Sequence, residues 1–209
     1  MQFKIVEAIK RYDTIPTKWQ PPQIISFIRK NCKPFLQEVK YNNWPMYRGT
    51  NSADAALMFI GTPRKNRKPS DMDIGDQQQF DRAFMKIFGW KPRSQGLFVT
   101  GSRSQTEYYG LAYQIFPIGK FKFIYSLEVD DLYEELDSDF SHYSDEIEDN
   151  LLKFISDYYT DQDLVKGIKA NVEISILCEK YFALRVPLVP GVIIDWDKVY
   201  KIIIDGVFK

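Results

Sequence analysis

Histidine and cysteine are scarce in this sequence, and that scarcity removes whole classes of chemistry. Among 209 residues there are one histidine, His142, and two cysteines, Cys32 and Cys178. With a single imidazole and no Cys-x-x-Cys pair, a zinc centre has too few ligands, so no metal is expected. The two cysteines stand far apart, Cys178 within an apolar run, which points to two buried free thiols in a reducing compartment rather than a disulfide. Net charge is missing as well: 28 Lys and Arg balance 28 Asp and Glu. No global field draws nucleic acid or an anionic membrane, so any such contact must come from a local patch. No apolar run is long enough to span a bilayer. The opening Met1-Gln2-Phe3-Lys4-Ile5-Val6-Glu7 carries charge and lacks the apolar stretch of a signal peptide. No membrane contact and a cytoplasmic location are therefore expected. Gly-x-Gly-x-x-Gly, a Gly-Lys-Ser/Thr loop and Gly-x-Ser-x-Gly are all absent, which removes three common phosphate-binding and nucleophile motifs.

What is present is a chain that can pack. It is 44% hydrophobic and 15% aromatic, ample for a core. The length suits one domain, residues 1–209, and no repeat or low-complexity tract interrupts it. Residues 2–12 have the spacing of a short amphipathic helix. Pro21-Pro22 opens a second helix, in which Ile24, Ile25, Phe27, Ile28, Phe35, Leu36 and Val39 recur near helical spacing and Pro34 either kinks it or starts another. Residues 1–43 thus read as a helical layer. From Trp44 the pattern changes. Met46–Thr50 and Leu57–Thr62 read as strands around a polar turn with Asn51, Ser52 and Asp54, followed by a basic loop ending at Pro69, whose Arg64, Lys65, Arg67 and Lys68 could touch a nucleic acid or a cofactor phosphate, although a solvated loop is the commoner case. Gln77–Phe88 reads as a helix ended by Gly89 and Pro92. Gly96–Ser102 reads as a strand, 103–112 as a short helix, and Tyr113–Ile118 and Lys120–Ser126 as strands divided by Gly119. Residues 128–149 are acidic, and a helical stripe follows at Leu151, Leu152, Phe154, Ile155 and Tyr158. Leu164, Ile168 and Val172 lead into a strand at Glu173–Cys178. Tyr181–Val186, Gly191–Ile194 and Val199–Ile204 are further strands. Helices first, then mainly antiparallel strands with helices between, make an α+β protein.

Three polar residues sit on these strands. Arg48, in Met46-Tyr47-Arg48-Gly49, carries a planar fork suited to phosphate, and Gly49 lets backbone approach a ligand closely. Ser102 ends Leu97-Phe98-Val99-Thr100-Gly101-Ser102 and can brace a site by hydrogen bonding. Glu173 opens the apolar run Ile174-Ser175-Ile176-Leu177-Cys178, where a fixed negative charge could stabilise a sugar cation. Taken singly, each is ordinary: a surface arginine, a turn serine, a solvated strand end. Tyr108, Tyr109, Phe116 and Phe123 could stack on a ligand, but core roles are commoner for such aromatics.

Taken in order, the set resembles the Arg–Ser–Glu class of mono-ADP-ribosyltransferases, the cholera-toxin-like group that includes toxin and phage effectors. Fifty-four residues separate Arg48 from Ser102 and 71 separate Ser102 from Glu173, intervals that fit the small catalytic domain of that family. The resemblance covers roughly residues 44–186. It implies two packed, mainly antiparallel sheets with an NAD⁺ cleft between them, behind the N-terminal helices. It implies that Arg48 binds the NAD⁺ diphosphate or ribose, that Gly49 holds the nicotinamide amide, that Thr100 and Ser102 brace the pocket, and that Asn171 faces the acceptor. Glu173 would stabilise the oxocarbenium-like transition state. NAD⁺ would be the substrate, with no metal, and the acceptor a protein or nucleic acid inside a bacterial or host cell. Two departures stand out. The family's aromatic–x–Ser–Thr–Ser segment has Thr100 for its first serine and Gly101 for its threonine. The Glu-x-Glu of arginine-modifying members has Asn171 two positions before Glu173, and an amide cannot act as a general base. Family members with Gln there modify an amide or a guanine amine. The alternatives are a catalytically silent member of the fold that binds protein or nucleic acid, and an unrelated α+β structural protein of phage or bacterial origin.

Overall fold

The computed structural model describes residues 12–14, 21–39, 44–50, 56–68, 73–129 and 147–186. The helix expected over residues 2–12 falls outside these up to residue 11, and Tyr12 begins a strand instead, β1 (Tyr12–Thr14). The polar turn at Asn51, Ser52 and Asp54, the acidic residues 130–146 with His142, and the strands expected at Gly191–Ile194 and Val199–Ile204 also lie outside the described residues.

The helices expected after Pro21 form as the spacing predicts. Pro21 opens α1 (Pro21–Asn31), and the second proline pair of possibilities resolves as a new start: Pro34 stands in the first turn of α2 (Lys33–Glu38), where a missing N–H costs nothing. Ile24, Ile25, Ile28, Phe35, Leu36 and Val39 are buried together against the sheet. Then come β2 (Tyr47–Thr50) and β3 (Met58–Gly61). Helix α3 (Ile74–Phe88) begins three residues earlier than the apolar pattern suggests, because the Asp73 side chain caps it by accepting the Gly75 N–H at 2.7 Å. Gly89 ends it at φ 74°, a left-handed turn that glycine adopts without strain. After α4 (Pro92–Gln95) come β4 (Leu97–Val99), α5 (Arg103–Glu107), β5 (Leu111–Ser126), α6 (Ile147–Tyr158), β6 (Tyr159–Thr160), α7 (Leu164–Ala170) and β7 (Ile174–Arg185).

The seven described strands form one sheet, where the resemblance implies two. Its axis is the antiparallel pair of β5 and β7, joined from Tyr113↔Arg185 to Tyr125↔Ile174. Each was expected as two short strands. Gly119 does not end β5: with Lys120 it faces Glu179 alone, a β-bulge entered at φ 71°, and pairing resumes at Phe121↔Cys178. Glu179 and Lys180, which read as a gap between strands, are the exposed middle of β7 beside that bulge. Pro117 is tolerated because β2 pairs only with residues 111–114 of β5 and β6 only with 125–126, so the strand has one ladder partner there. On the outer flank of β7, β3 pairs with the 181–184 end and β4 with the 174–176 end. A single bridge, Tyr47↔Thr100, joins the start of β2 to the residue after β4.

Helices cover both faces. Alternation along β5 sends Phe123 and Tyr125 into the cluster shared with α1, α2 and α7, while Ile124 packs with Phe80, Ala83 and Phe84 of α3 and Leu151 and Ile155 of α6. Both ends of β5 and β7 are thus buried on two sides, which is why their sequences are continuous apolar runs rather than alternating ones.

Cys32 and Cys178 are buried and free, as expected. Burial pushes each thiol up to about 12, with the neighbouring Cys178 adding to the effect on Cys32. An unfolded chain ionises its thiols near the ordinary value of 9.0. The folded chain holds them protonated, so stability falls as pH rises from about 9 towards 12. Native protein should resist Ellman's reagent near neutral pH and react on adding denaturant. Rapid labelling of both thiols in the native state would contradict this packing.

Candidate functional site

The short strand β4 organises the site. Leu97 and Val99 point into the core, which leaves Phe98 on the opposite face, only partly buried. Four charged side chains gather around it. Arg48 of β2 donates from Nη1 to the Phe98 carbonyl at 2.8 Å. The Arg67 guanidinium lies over the Phe98 ring, 4.4 Å from its centroid, and that of Arg93 is 5.3 Å away. Arg93 Nη1 is 3.3 Å from Glu173 Oε1. Arg48 comes from β2, on the flank of β5, and Glu173 is the residue just before β7; Arg48 touches the Phe98 carbonyl directly and Glu173 is linked to Phe98 through Arg93. Sequence reasoning placed Arg48 and Glu173 as candidates but missed Arg93 and the organising role of Phe98. It gave Arg67 a contact with nucleic acid or a cofactor phosphate only as the lesser alternative to a solvated loop.

That loop is partly anchored. Arg64, Lys65, Asn66 and Lys68 are exposed, but Arg67 is half-buried. Its N–H donates to the Ser94 carbonyl at 2.9 Å, and its own carbonyl accepts from Gln77 Nε2 at 2.8 Å. Its Nη1 is buried with no hydrogen-bond partner among the described residues. Burial first, then the positive charge of Arg48, pull the Arg67 pKa below its ordinary value; Glu173 opposes this, and Arg93 and Arg64 add to it. Three guanidinium groups and one carboxylate leave an excess of positive charge in a chain whose formal net charge is zero.

Arg93 is placed from behind. Asp81 of α3, 4% exposed, accepts the Arg93 N–H at 3.0 Å and thereby fixes the start of α4. Burial raises the Asp81 pKa, and hydrogen bonds from Ser94 and Arg93 partly offset this. Glycine then lets α4 sit against β7: a Cβ on Gly96 would strike the Ser175 hydroxyl and the Pro92 carbonyl, two groups already joined by a 3.1 Å hydrogen bond.

The other expected residues form the corner beside this cluster. The Thr100 hydroxyl lies 2.9 Å from the Asn171 carbonyl and 2.8 Å from Gln105 Oε1, and it accepts the Ser102 N–H at 3.2 Å. Ser102 caps α5, its Oγ accepting from the Gln105 N–H at 3.4 Å and lying 3.0 Å from Ser104 Oγ. Thr100 thus ties the end of β4 to the turn that delivers Glu173. Asn171 ends α7 in the left-handed conformation, φ 59° and ψ 23°, which a short amide adopts more easily than glutamate. Gly101 has an equally local reason: a Cβ there would run into the Ile168 carbonyl of α7. The two departures from the family pattern, Gly101 and Asn171, therefore accompany one close approach of α7 to the end of β4. The approach that Gly49 permits is taken by the chain itself, since a Cβ at Gly49 would meet the Thr106 carbonyl and Tyr109. A groove along α1, lined by Pro22, Ile25, Ser26, Arg29 and Lys30, includes none of the expected site residues.

No family model matches the chain, and neither a curated protein nor a solved structure matches it.

Replacing Gly101 by alanine should destabilise the protein by about 1–3 kcal/mol, the usual cost of forcing one methyl into close-packed backbone. Urea unfolding of Gly101→Ala measures it. Stability equal to the wild type would mean that α7 does not press on the end of β4.

Proposed function

We propose that the protein is a mono-ADP-ribosyltransferase of the Arg–Ser–Glu type, transferring ADP-ribose from NAD⁺ to a protein or nucleic-acid acceptor and releasing nicotinamide. The observation that supports this reading is that Arg48 is held at the Phe98 carbonyl while Glu173 pairs with Arg93 beside the Phe98 ring, with Arg67 close enough to feel both charges. In this reading Arg48, steadied by the Phe98 carbonyl, offers its remaining N–H groups to the diphosphate. Glu173 faces the nicotinamide ribose. As the bond between C1′ and the nicotinamide nitrogen breaks, its electron pair leaves with nicotinamide and positive charge develops on the ribose. A carboxylate held nearby lowers that barrier because it acts on charge present mainly in the transition state. The acceptor then bonds to C1′ and gives up a proton. Thr100 and Ser102 hold the corner from which Glu173 projects, through the Thr100 contact to the Asn171 carbonyl. The NAD⁺ cleft of the family belongs to this proposal.

A second reading has an observation of its own. Glu173 is ion-paired with Arg93, the two side chains 56% and 26% exposed. A carboxylate committed to that pair suits a catalytically silent anion-binding module. Exposed pairs of this kind contribute only roughly 0–1 kcal/mol, so substrate could displace Arg93 without large cost. Release of nicotinamide from NAD⁺ by purified protein separates the two readings.

Glu173→Gln keeps size and most hydrogen bonding but removes the charge. NAD⁺ should still bind while turnover falls by on the order of 10²-fold or more. Equal turnover by wild type and variant would sink the catalytic role. Arg48→Lys should weaken NAD⁺ binding with little effect on folding, since an ammonium cannot reproduce a bidentate phosphate contact. Unchanged affinity by calorimetry would count against Arg48 as a ligand.

A further inference from the structure

The three-residue resemblance gives no task to Arg67 or Arg93, yet among the described residues Arg67 keeps a buried, unpartnered Nη1 and Arg93 has only a half-exposed carboxylate opposite it. Both guanidinium groups lie against the Phe98 ring, beyond the Phe98 carbonyl where Arg48 is held. Arg67 is half-buried and its Nη1 has no partner among the described residues. Its carboxylate neighbour, Glu173, is shared with Arg93. Like charges brought this close and partly desolvated repel one another, and an unpartnered buried donor adds the cost of an unmade hydrogen bond. An arrangement of that kind is unfavourable alone and becomes favourable when a compact anion supplies the missing acceptors. Both arginines are also backed by rigid structure. Arg67 is fixed by Ser94 and Gln77, and Arg93 by Asp81 at the start of α4.

We propose that Arg67 and Arg93, arranged on the Phe98 ring, form a binding site for a phosphate dianion, either free inorganic phosphate or a terminal phosphomonoester, additional to any contact that Arg48 makes. The planar forks of the two arginines match tetrahedral oxygens bidentately. Arg93 is the member shared with Glu173. A dianion seated between the arginines draws Arg93 towards itself and loosens its hold on the carboxylate. The site thereby sets how much of Glu173 is available at the neighbouring position. Binding rests on the arginines alone and does not require that the protein turn over NAD⁺.

The test is calorimetric titration of the full chain with inorganic phosphate at low salt and slightly alkaline pH, repeated with glycerol 3-phosphate. Wild type should bind saturably and melt at a higher temperature as phosphate is added. Arg67→Gln and Arg93→Gln should each weaken binding by roughly tenfold or more, the worth of one lost charge-assisted hydrogen bond. If one variant fails to fold, the other carries the comparison. Affinity should fall below about pH 6, where a phosphomonoester passes from dianion to monoanion. Tighter binding of glycerol 3-phosphate identifies a phosphate carried on a ligand; tighter binding of inorganic phosphate identifies the free ion. The proposal is overturned if folded wild type shows neither heat nor a melting shift with phosphate, or if both variants bind as wild type does. It is also overturned if saturating NAD⁺ abolishes phosphate binding, since the two arginines would then be part of the diphosphate contact. Absence of NAD⁺ turnover with phosphate binding intact would remove the transferase reading and leave this site standing.

Discussion

The long antiparallel pairing of β5 with β7 is the constraint on which the other features depend. It brings residues 113–125 against 174–185 and gives β2, β3, β4 and β6 a flank to join, with β1 added outside β3. Because both ends of the pair are buried on two faces, a one-residue slip would exchange Ile124 with Phe123 and Tyr125 between the two helical layers. The bulge at Gly119 absorbs the one mismatch at the exposed middle, so register holds at each end. From that fixed pair the site follows: β4 adds beside Ile174 and Ile176, β2 beside residues 111–114, and the bridge between Tyr47 and Thr100 brings their ends together.

Charge then accumulates where those ends meet. Arg48 from β2 holds the Phe98 carbonyl, Arg67 from a loop and Arg93 from α4 lie against the Phe98 ring, and Glu173, the carboxylate paired with Arg93, is half-exposed. The corner built by Thr100, Gly101, Ser102 and Asn171 is, by contrast, fully occupied with local work: a helix cap, a left-handed helix end and a contact too close for a side chain.

The sequence made some of this legible and hid the rest for physical reasons. Helices α1, α3 and α6 carry apolar residues at helical spacing, Pro21 marks the start of α1 and Gly89 the end of α3, so local rules suffice there. The α+β class and mainly antiparallel pairing follow from the same patterns. The continuity of β5 and β7 was hidden because glycine and a charged pair in mid-strand look like breaks unless the partner strand and its bulge are known. The strand at residues 97–99 is shorter than the expected Gly96–Ser102 because Gly96 ends α4 and Ser102 already caps α5. Arg48 and Glu173 stood out because each is a lone charged residue beside an apolar strand. Arg67 and Arg93 lie among other basic residues in polar stretches, and nothing local marks them; only tertiary packing on Phe98 does.

The central claim is that Arg48 and its neighbours at Phe98 receive a phosphate-bearing substrate beside Glu173. Titrating NAD⁺ into the protein while following the arginine Nε–H resonances by NMR tests it most directly. The account predicts a saturable shift of the Arg48 resonance, with Arg93 also moving as its pairing with Glu173 changes. Resonances of Arg48 and Arg93 that stay fixed at millimolar NAD⁺, in protein that is folded, would contradict it.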